Sequence, residues 1–351
     1  MASAPNHPGM PFDFSAPPCR PAGEPTESQP ESVDMRYLGA AGLYLRWEDD
    51  SILLGPFFSN PGLWRVLAGR LAVDRRAVEQ GLQGVPVSRV EAIFAGHSHY
   101  DHIGDLPVVL EMAPRARVFV NRSGVHALAP YAAGRSTALE EHASEWVWLA
   151  GERGERRPIR FFAVLSEHAP QVDHHLWQGG SLDRDWQEPW SRHRTRELQA
   201  GKTFALVIDL MSSDLTRVRY RLYYQDAANR QGVGEPPPFT AADRHPYDLA
   251  ILCISSYDKV EGPPAAILRA LHPRHVLVTH YEDFFRPRDR PVRFVKLLTE
   301  GKVEKYLRIL CQELGCGAPA EAGPTNAVCG PSSPRWTMPL PAEWMRFRAE
   351  P

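Results

Sequence analysis

The chain has 351 residues, 43% of them hydrophobic, and a formal net charge of -2 from 40 basic and 42 acidic side chains. That balance supplies no basic excess to draw nucleic acid or an anionic membrane as the main partner. No apolar run approaches the ~20 residues needed to cross a bilayer. The longest such runs, 204–210 and 249–254, are strand-sized. Five cysteines (Cys19, Cys253, Cys311, Cys316 and Cys329) are an odd number at irregular spacing, which is not a disulfide framework. Without a CxxC pair they also make a poor zinc site. One bridge among the last three stays open, and Cys253 sits in an apolar run that predicts a buried thiol.

Residues 1–32 are rich in Pro, Ser, Ala and Glu and lack periodicity, which predicts a disordered tail. No basic start followed by an apolar stretch is present, so the expected location is the cytoplasm. Residues 33–314 then read as one domain. Strands are predicted over 35–47 and 51–57, joined at the acidic turn Glu48-Asp49-Asp50, with helical or irregular chain over 61–84. The apolar run 90–95 is a strand, 106–112 a helix with Pro107 in its first turn, and 117–121 another strand. Further strands are expected over 146–149, 159–165, 204–210, 219–225, 249–254 and 275–279. Helices are expected over 263–271 and most of 292–314. Residues 171–200 interrupt the pattern, and 315–351 form a Pro- and Gly-rich extension. Hairpins early and alternating strands and helices late predict two mixed sheets stacked face to face with helices outside, a four-layer αββα sandwich.

The chemistry concentrates directly after the strand at 90–95, in His97-Ser98-His99-Tyr100-Asp101-His102. In an extended segment the side chains at i, i+2 and i+4 leave the same face, so His97, His99 and Asp101 would point together. His102, at the turn into the helix, reaches the same region from another direction. Imidazole and carboxylate donors suit Zn²⁺, Mn²⁺ or Fe. Four donors within six residues crowd one tetrahedral ion and suit two adjacent ions, with His97 and His99 on one and Asp101 and His102 on the other.

This HxHxDH segment, placed between a strand and a helix, resembles the signature of the metallo-β-lactamase superfamily. The resemblance spans about residues 35–300. It implies a third histidine for the first ion, a bridging aspartate, and a last histidine for the second ion, each following a later strand. His168 is the best match for the third histidine, with His174 and His175 as rivals deeper in the insertion. Asp226, at the end of the strand 219–225, matches the bridging carboxylate, whereas Asp209 reads as strand interior. His280, directly after the strand 275–279, matches the last histidine. One departure is Gly55, which stands where many relatives carry a supporting aspartate. The segments 55–59 and 280–285 resemble more narrowly the branch with N-acyl phosphatidylethanolamine phospholipase and ascorbate-6-phosphate lactonase.

The resemblance implies a metal-dependent hydrolase with two divalent transition-metal ions, zinc first and manganese or iron as alternatives. A hydroxide bridging the two ions would cleave an ester, lactone or phosphodiester, with Asp101 also acting on the hydroxide or the leaving group. The expected partner is a small-molecule or lipid-like ester. The alternatives are a non-catalytic metal-binding member and an iron-dependent oxidoreductase of the same fold. Trp177, Trp186 and Trp190 with Arg184, Arg192, Arg194 and Arg196 could line a cleft for an anionic substrate with an apolar part. An amphipathic surface insertion or a dimer contact suits the same residues equally well.

Overall fold

The computed structural model describes residues 31–132, 134–171, 176–315 and 336–348. The strands and helices in chain order are β1 (Ser32–Gly39), β2 (Gly42–Trp47), β3 (Asp50–Leu54), α1 (Leu63–Ala68), α2 (Arg75–Gly81), β4 (Val90–Phe94), α3 (Tyr100–Ile103), α4 (Leu106–Met112), β5 (Arg117–Val120), α5 (Arg122–Ala132) and β6 (Ser136–Ala138). The second half holds β7 (Trp146–Ala150), β8 (Arg156–Ser166), β9 (Thr203–Met211), β10 (Val218–Gln225), β11 (Leu249–Cys253), α6 (Ala265–Leu271), β12 (His275–Thr279), α7 (Glu300–Leu314), β13 (Trp336–Thr337) and β14 (Trp344–Arg348).

The strands form two seven-stranded mixed sheets, in the orders β14-β1-β2-β3-β4-β5-β6 and β13-β12-β11-β10-β9-β8-β7. All nine residues of β9 and all five of β11 and β12 are buried, as expected of strands covered on both faces. The sheets meet through apolar side chains: the ring of Phe94 on β4 lies 5.0 Å from that of Phe161 on β8. Trp47 on β2 donates its indole N–H to the Met211 carbonyl across the gap at 2.9 Å. This is the four-layer α/β sandwich expected from the order of elements. No helix among the described residues is long and apolar enough to cross a membrane.

Several local expectations change. The predicted strand over 35–47 is two strands, because Ala40 and Ala41 both take positive φ and fold the chain into a tight hairpin between β1 and β2. The helix predicted across most of 292–314 begins only at Glu300, and its N-terminal stretch is irregular. Helix α5 and strand β6 lack a strong sequence period and were not anticipated. The stretch read as a C-terminal extension supplies an edge strand to each sheet: β14 pairs antiparallel with β1, and β13 parallel with β12. Trp344 explains part of that return, packing edge-on against Tyr44 with the Arg36 guanidinium over its ring.

Asp209 is strand interior, as its apolar neighbours suggested, and its partners are structural. It is fully buried and holds the Arg221 guanidinium through Nε at 2.6 Å and a terminal nitrogen at 2.9 Å. Arg160 donates to its Oδ2 from Nε at 3.0 Å and also reaches Asp243. The ring of Trp146 lies beneath both guanidinium groups. Removing one partner of such a network leaves buried charge uncompensated. Asp209→Ala should therefore lower unfolding free energy by roughly 3–5 kcal/mol in denaturant titrations, with metal content per folded chain unchanged.

Candidate metal centre

Four strands of the two sheets end at the same edge of the sandwich, and each delivers a candidate donor. His97 and His99 follow β4, His168 follows β8, Asp226 follows β10 and His280 follows β12. Sites of open α/β sheets lie at such carboxyl ends. Asp101 differs from expectation, while His102 leaves from the turn into a helix as expected. The extended backbone stops at His99, whose carbonyl accepts from the N–H groups of His102 and Ile103 at 3.1 Å each, so both side chains leave from the one-turn helix α3. The helical turn is what aims Asp101 and His102 away from His99 and toward His280.

The donors assemble into three overlapping groups: His97, His99 and His168; His97, His102 and Asp226; and Asp101, His102 and His280. Within each group the donor atoms lie within 4.8 Å of one another. Asp226 sits between the outer two. Its Oδ1 is 3.0 Å from His97 Nδ1 and its Oδ2 is 3.6 Å from His102 Nδ1. On the far side, Asp101 Oδ2 lies 3.2 Å from His280 Nε2 and 3.7 Å from His102 Nε2. All seven residues singled out from the sequence are thus brought together. The rivals His174 and His175 lie outside the described residues.

Hydrogen bonding restricts the tautomers. Backbone carbonyls only accept, so His99 Nε2 must donate to the Trp177 carbonyl at 3.0 Å, and His168 Nδ1 to the Ala169 carbonyl at 2.6 Å. His99 therefore turns an Nδ1 lone pair toward His97 Nε2, 2.9 Å away. His97 carries one proton when neutral. If its Nδ1–H donates to Asp226, two imidazole lone pairs face each other at 2.9 Å. If its Nε2–H donates to His99, a lone pair faces the Asp226 carboxylate at 3.0 Å. With Asp226 ionised, either tautomer leaves a repulsion that a cation would remove. Nearby, the buried Nδ1 atoms of His102 and His280 have no hydrogen-bond partner among the described residues.

Burial sets the protonation. It drives His97 and His99 well below the ordinary histidine range, and neighbouring imidazoles add to the effect. Burial also lowers His168, and it lowers His102 to about 3, with His97 adding to that shift. Burial alone would raise Asp101, but His102 and His280 outweigh it and hold the carboxyl below its usual range. Burial raises Asp226 despite His102 and the Gly96 N–H. Burial would lower His280, yet the Asp101 carboxylate raises it. The first group is then three neutral imidazoles, the form that binds metal.

Supporting contacts escaped sequence reading because they join distant segments. His280 has φ +62°, a strained value for a non-glycine residue. Its N–H donates to Tyr37 Oη at 3.1 Å, and its carbonyl accepts from Ser255 Oγ at 2.6 Å. Tyr37 in turn donates to Glu282, which also accepts the Ala40 N–H at 2.5 Å. One signal was visible: Gly96 stands directly before His97. A Cβ there would lie 2.5 Å from both Asp226 Oδ1 and the Phe204 carbonyl, so only glycine admits the carboxylate. Gly55 has φ +44°, and a Cβ there would meet Tyr224 Oη at 2.9 Å and His102 Nδ1 at 3.4 Å. The tyrosine hydroxyl fills the space beside Gly55, which explains how the chain folds without an aspartate at that position.

A cavity of about 700 Å³ opens onto His99, Asp101, His168, Asp226 and His280. Of the insertion's three tryptophans only Trp177 lines it. Trp190 is buried against α5, donating its indole N–H to the Ala127 carbonyl at 2.6 Å, and Trp186 stacks on His193 at 3.8 Å. None of Arg184, Arg192, Arg194 and Arg196 reaches the cavity. Of the two readings of these residues, the anion-binding cleft does not describe this cavity, and the segment's backbone ties α5 to the loop after α1.

Solved structures share this architecture. Igni18, a metallo hydrolase from Ignicoccus hospitalis, aligns over 91% of this chain and 100% of its own with a TM-score of 0.50 at 12% identity. The fold is that of the metallo-β-lactamase superfamily. A possible metal-dependent hydrolase from Veillonella parvula aligns over 89% of this chain and 98% of its own (TM-score 0.44, 11% identity). The diiron β-hydroxylase CmlA from Streptomyces venezuelae aligns over 92% and 55% (TM-score 0.48, 13% identity). No family model matches the chain, and no curated protein matches it in sequence. At 12% identity what is shared is the metallo-β-lactamase fold. On that fold the histidine and aspartate groups fit divalent-metal binding.

The approach of Asp226 to Gly96 can be tested directly. Gly96→Ala should lower stability by roughly 1–3 kcal/mol through overpacking and reduce the metal retained after expression in supplemented medium. A variant with unchanged melting temperature and metal content would show that the close approach is dispensable.

Proposed function

We propose that the chain is a hydrolase dependent on two metal ions, acting on an ester, lactone or phosphodiester. The observation that carries this is the sharing of Asp226 between two donor groups, one oxygen turned to each. His97, His99 and His168 would hold the first ion, and Asp101, His102 and His280 the second. Two divalent transition-metal ions, zinc first for this donor set, would supply there an activated water at neutral pH and an electrophile for the substrate's carbonyl or phosphoryl oxygen.

The protein's own groups do the rest. The Trp177 and Ala169 carbonyls fix the tautomers of His99 and His168, as outer partners of metal-binding histidines do. The Gly96 N–H holds Asp226 Oδ2 at 2.7 Å, so the carboxylate keeps its place between the groups. Asp101 is ionised, held so by His102 and His280, and lines the cavity. In hydrolysis the water oxygen adds to the acyl or phosphoryl centre and the bond to the leaving oxygen breaks. On this reading Asp101 would pass the water's proton to that oxygen.

Elemental analysis of chain purified without chelator should approach two transition-metal ions per molecule. His168→Ala should lower that number, while His174→Ala and His175→Ala should not. A value near zero for wild-type protein expressed with added metal, or loss of metal only on changing His174 or His175, would contradict the assignment.

Asp101→Asn keeps the size of the side chain and removes its charge. Hydrolysis of any accepted substrate should fall by at least ~10²–10⁴-fold, the usual worth of general acid–base help. Metal at the first group should largely remain. Full activity in the variant would remove Asp101 from the working site.

A further inference from the structure

We propose that the substrate is a neutral carboxylic ester, thioester or lactone with a bulky apolar acyl group, and not a phosphodiester; this rests on the hydrolase reading above. The cavity beside the donor groups has the volume of a small-molecule site. Away from the histidines its apolar walls include Leu176, Trp177, Phe284, Phe285, Val295 and Leu298, alongside polar residues such as Gln178 and Ser255. Two further leucines, Leu67 on α1 and Leu297, line it while remaining 42% and 65% exposed, so the apolar wall continues outward to the mouth. Exposed leucines flanking an apolar cavity mark a place where an apolar ligand enters.

The charges point the same way. Among the described residues no arginine lines this cavity, and its cations are Lys259, Lys296 and Lys302. The Lys302 ammonium is engaged by Asp258 at 2.7 Å and the Leu297 carbonyl at 2.9 Å. Guanidinium groups, which match phosphate geometry, surround a different cavity of about 720 Å³ lined by Arg36, Arg76, Arg286, Arg288, Arg290 and Arg293. Besides the donor groups, an anionic diester would find as cations only ammonium groups among the described lining residues, of which Lys302 is already paired, and no guanidinium fork. A neutral acyl group loses nothing on entering the apolar wall, and each methylene buried there adds about 0.8 kcal/mol, ~4-fold in binding.

The test compares 4-nitrophenyl acetate, 4-nitrophenyl octanoate and bis(4-nitrophenyl) phosphate with the metal-loaded full chain. The octanoate ester should exceed the acetate ester in kcat/KM by at least ~100-fold, and the phosphodiester should be the poorest. A phosphodiester turned over faster than the octanoate ester, or no gain with chain length, overturns the inference while leaving the hydrolase reading intact. A second arm needs no turnover. Calorimetry on chelator-treated protein should show octanamide binding at least ~100-fold more tightly than acetamide, and the L67S/L297S double variant should narrow that ratio by at least ~5-fold. Octanamide binding without hydrolysis of any of the three substrates would support the acyl pocket and remove the hydrolase reading. Equal binding of the two amides would overturn the pocket itself.

Discussion

The constraint on which this molecule turns is the confinement of unprotonated imidazoles around one buried carboxylate. His97 has a lone-pair acceptor on each side of its ring, Asp226 at 3.0 Å and His99 at 2.9 Å, and a single proton to share between them. Burial denies it a second proton. Such an arrangement is poor as a self-contained hydrogen-bond network and good as a cation site. The surrounding architecture is what holds these groups in mutual repulsion when no cation is bound.

That architecture is the joint edge of two sheets. Each sheet is internally satisfied and apolar where they face, as the Phe94–Phe161 contact shows. The polar groups are pushed to the carboxyl ends of β4, β8, β10 and β12, where the chain leaves the sheets. Backbone strain gathers there too: His280 sits at positive φ, held from opposite sides by Tyr37 and Ser255. Strain at such a place is tolerated because neighbouring contacts over-determine it. The Tyr37–Glu282 pair also binds β1 to the loop after β12, linking the first sheet to the second at the centre itself.

Two buried aspartates, Asp209 inside β9 and Asp226 just past β10, illustrate how environment assigns roles. Asp209 faces two arginines and is neutralised by permanent partners. Asp226 faces imidazoles and one backbone N–H, and among the described residues no arginine or lysine pairs with it. The first is a structural counter-charge. The second has the surroundings of a group that awaits one, which is why only the second belongs to the proposed reaction.

The sequence by itself determined much of the local structure and the composition of the centre. The short apolar runs before His97 and His280 read as strands buried on both faces, and the segment before Asp226 reads as one through its tyrosines and leucine despite Arg219 and Arg221. The HxHxDH spacing was legible because six consecutive residues cannot be far apart in space. His168 was readable as the first histidine after a strand. The spacing argument misjudged the direction of Asp101, since a helical turn beginning at Tyr100 replaces the extended chain. What only the tertiary structure decided involves partners far apart in sequence. The Trp177 carbonyl that fixes the His99 tautomer, the Tyr224 hydroxyl beside Gly55 and the Tyr37–Glu282 support are side-chain encounters with no periodic signature. The return of residues 336–348 to both sheets was hidden for the same reason: strand pairing is written in the edge it meets, and short strands after a Pro-rich stretch carry no pattern of their own.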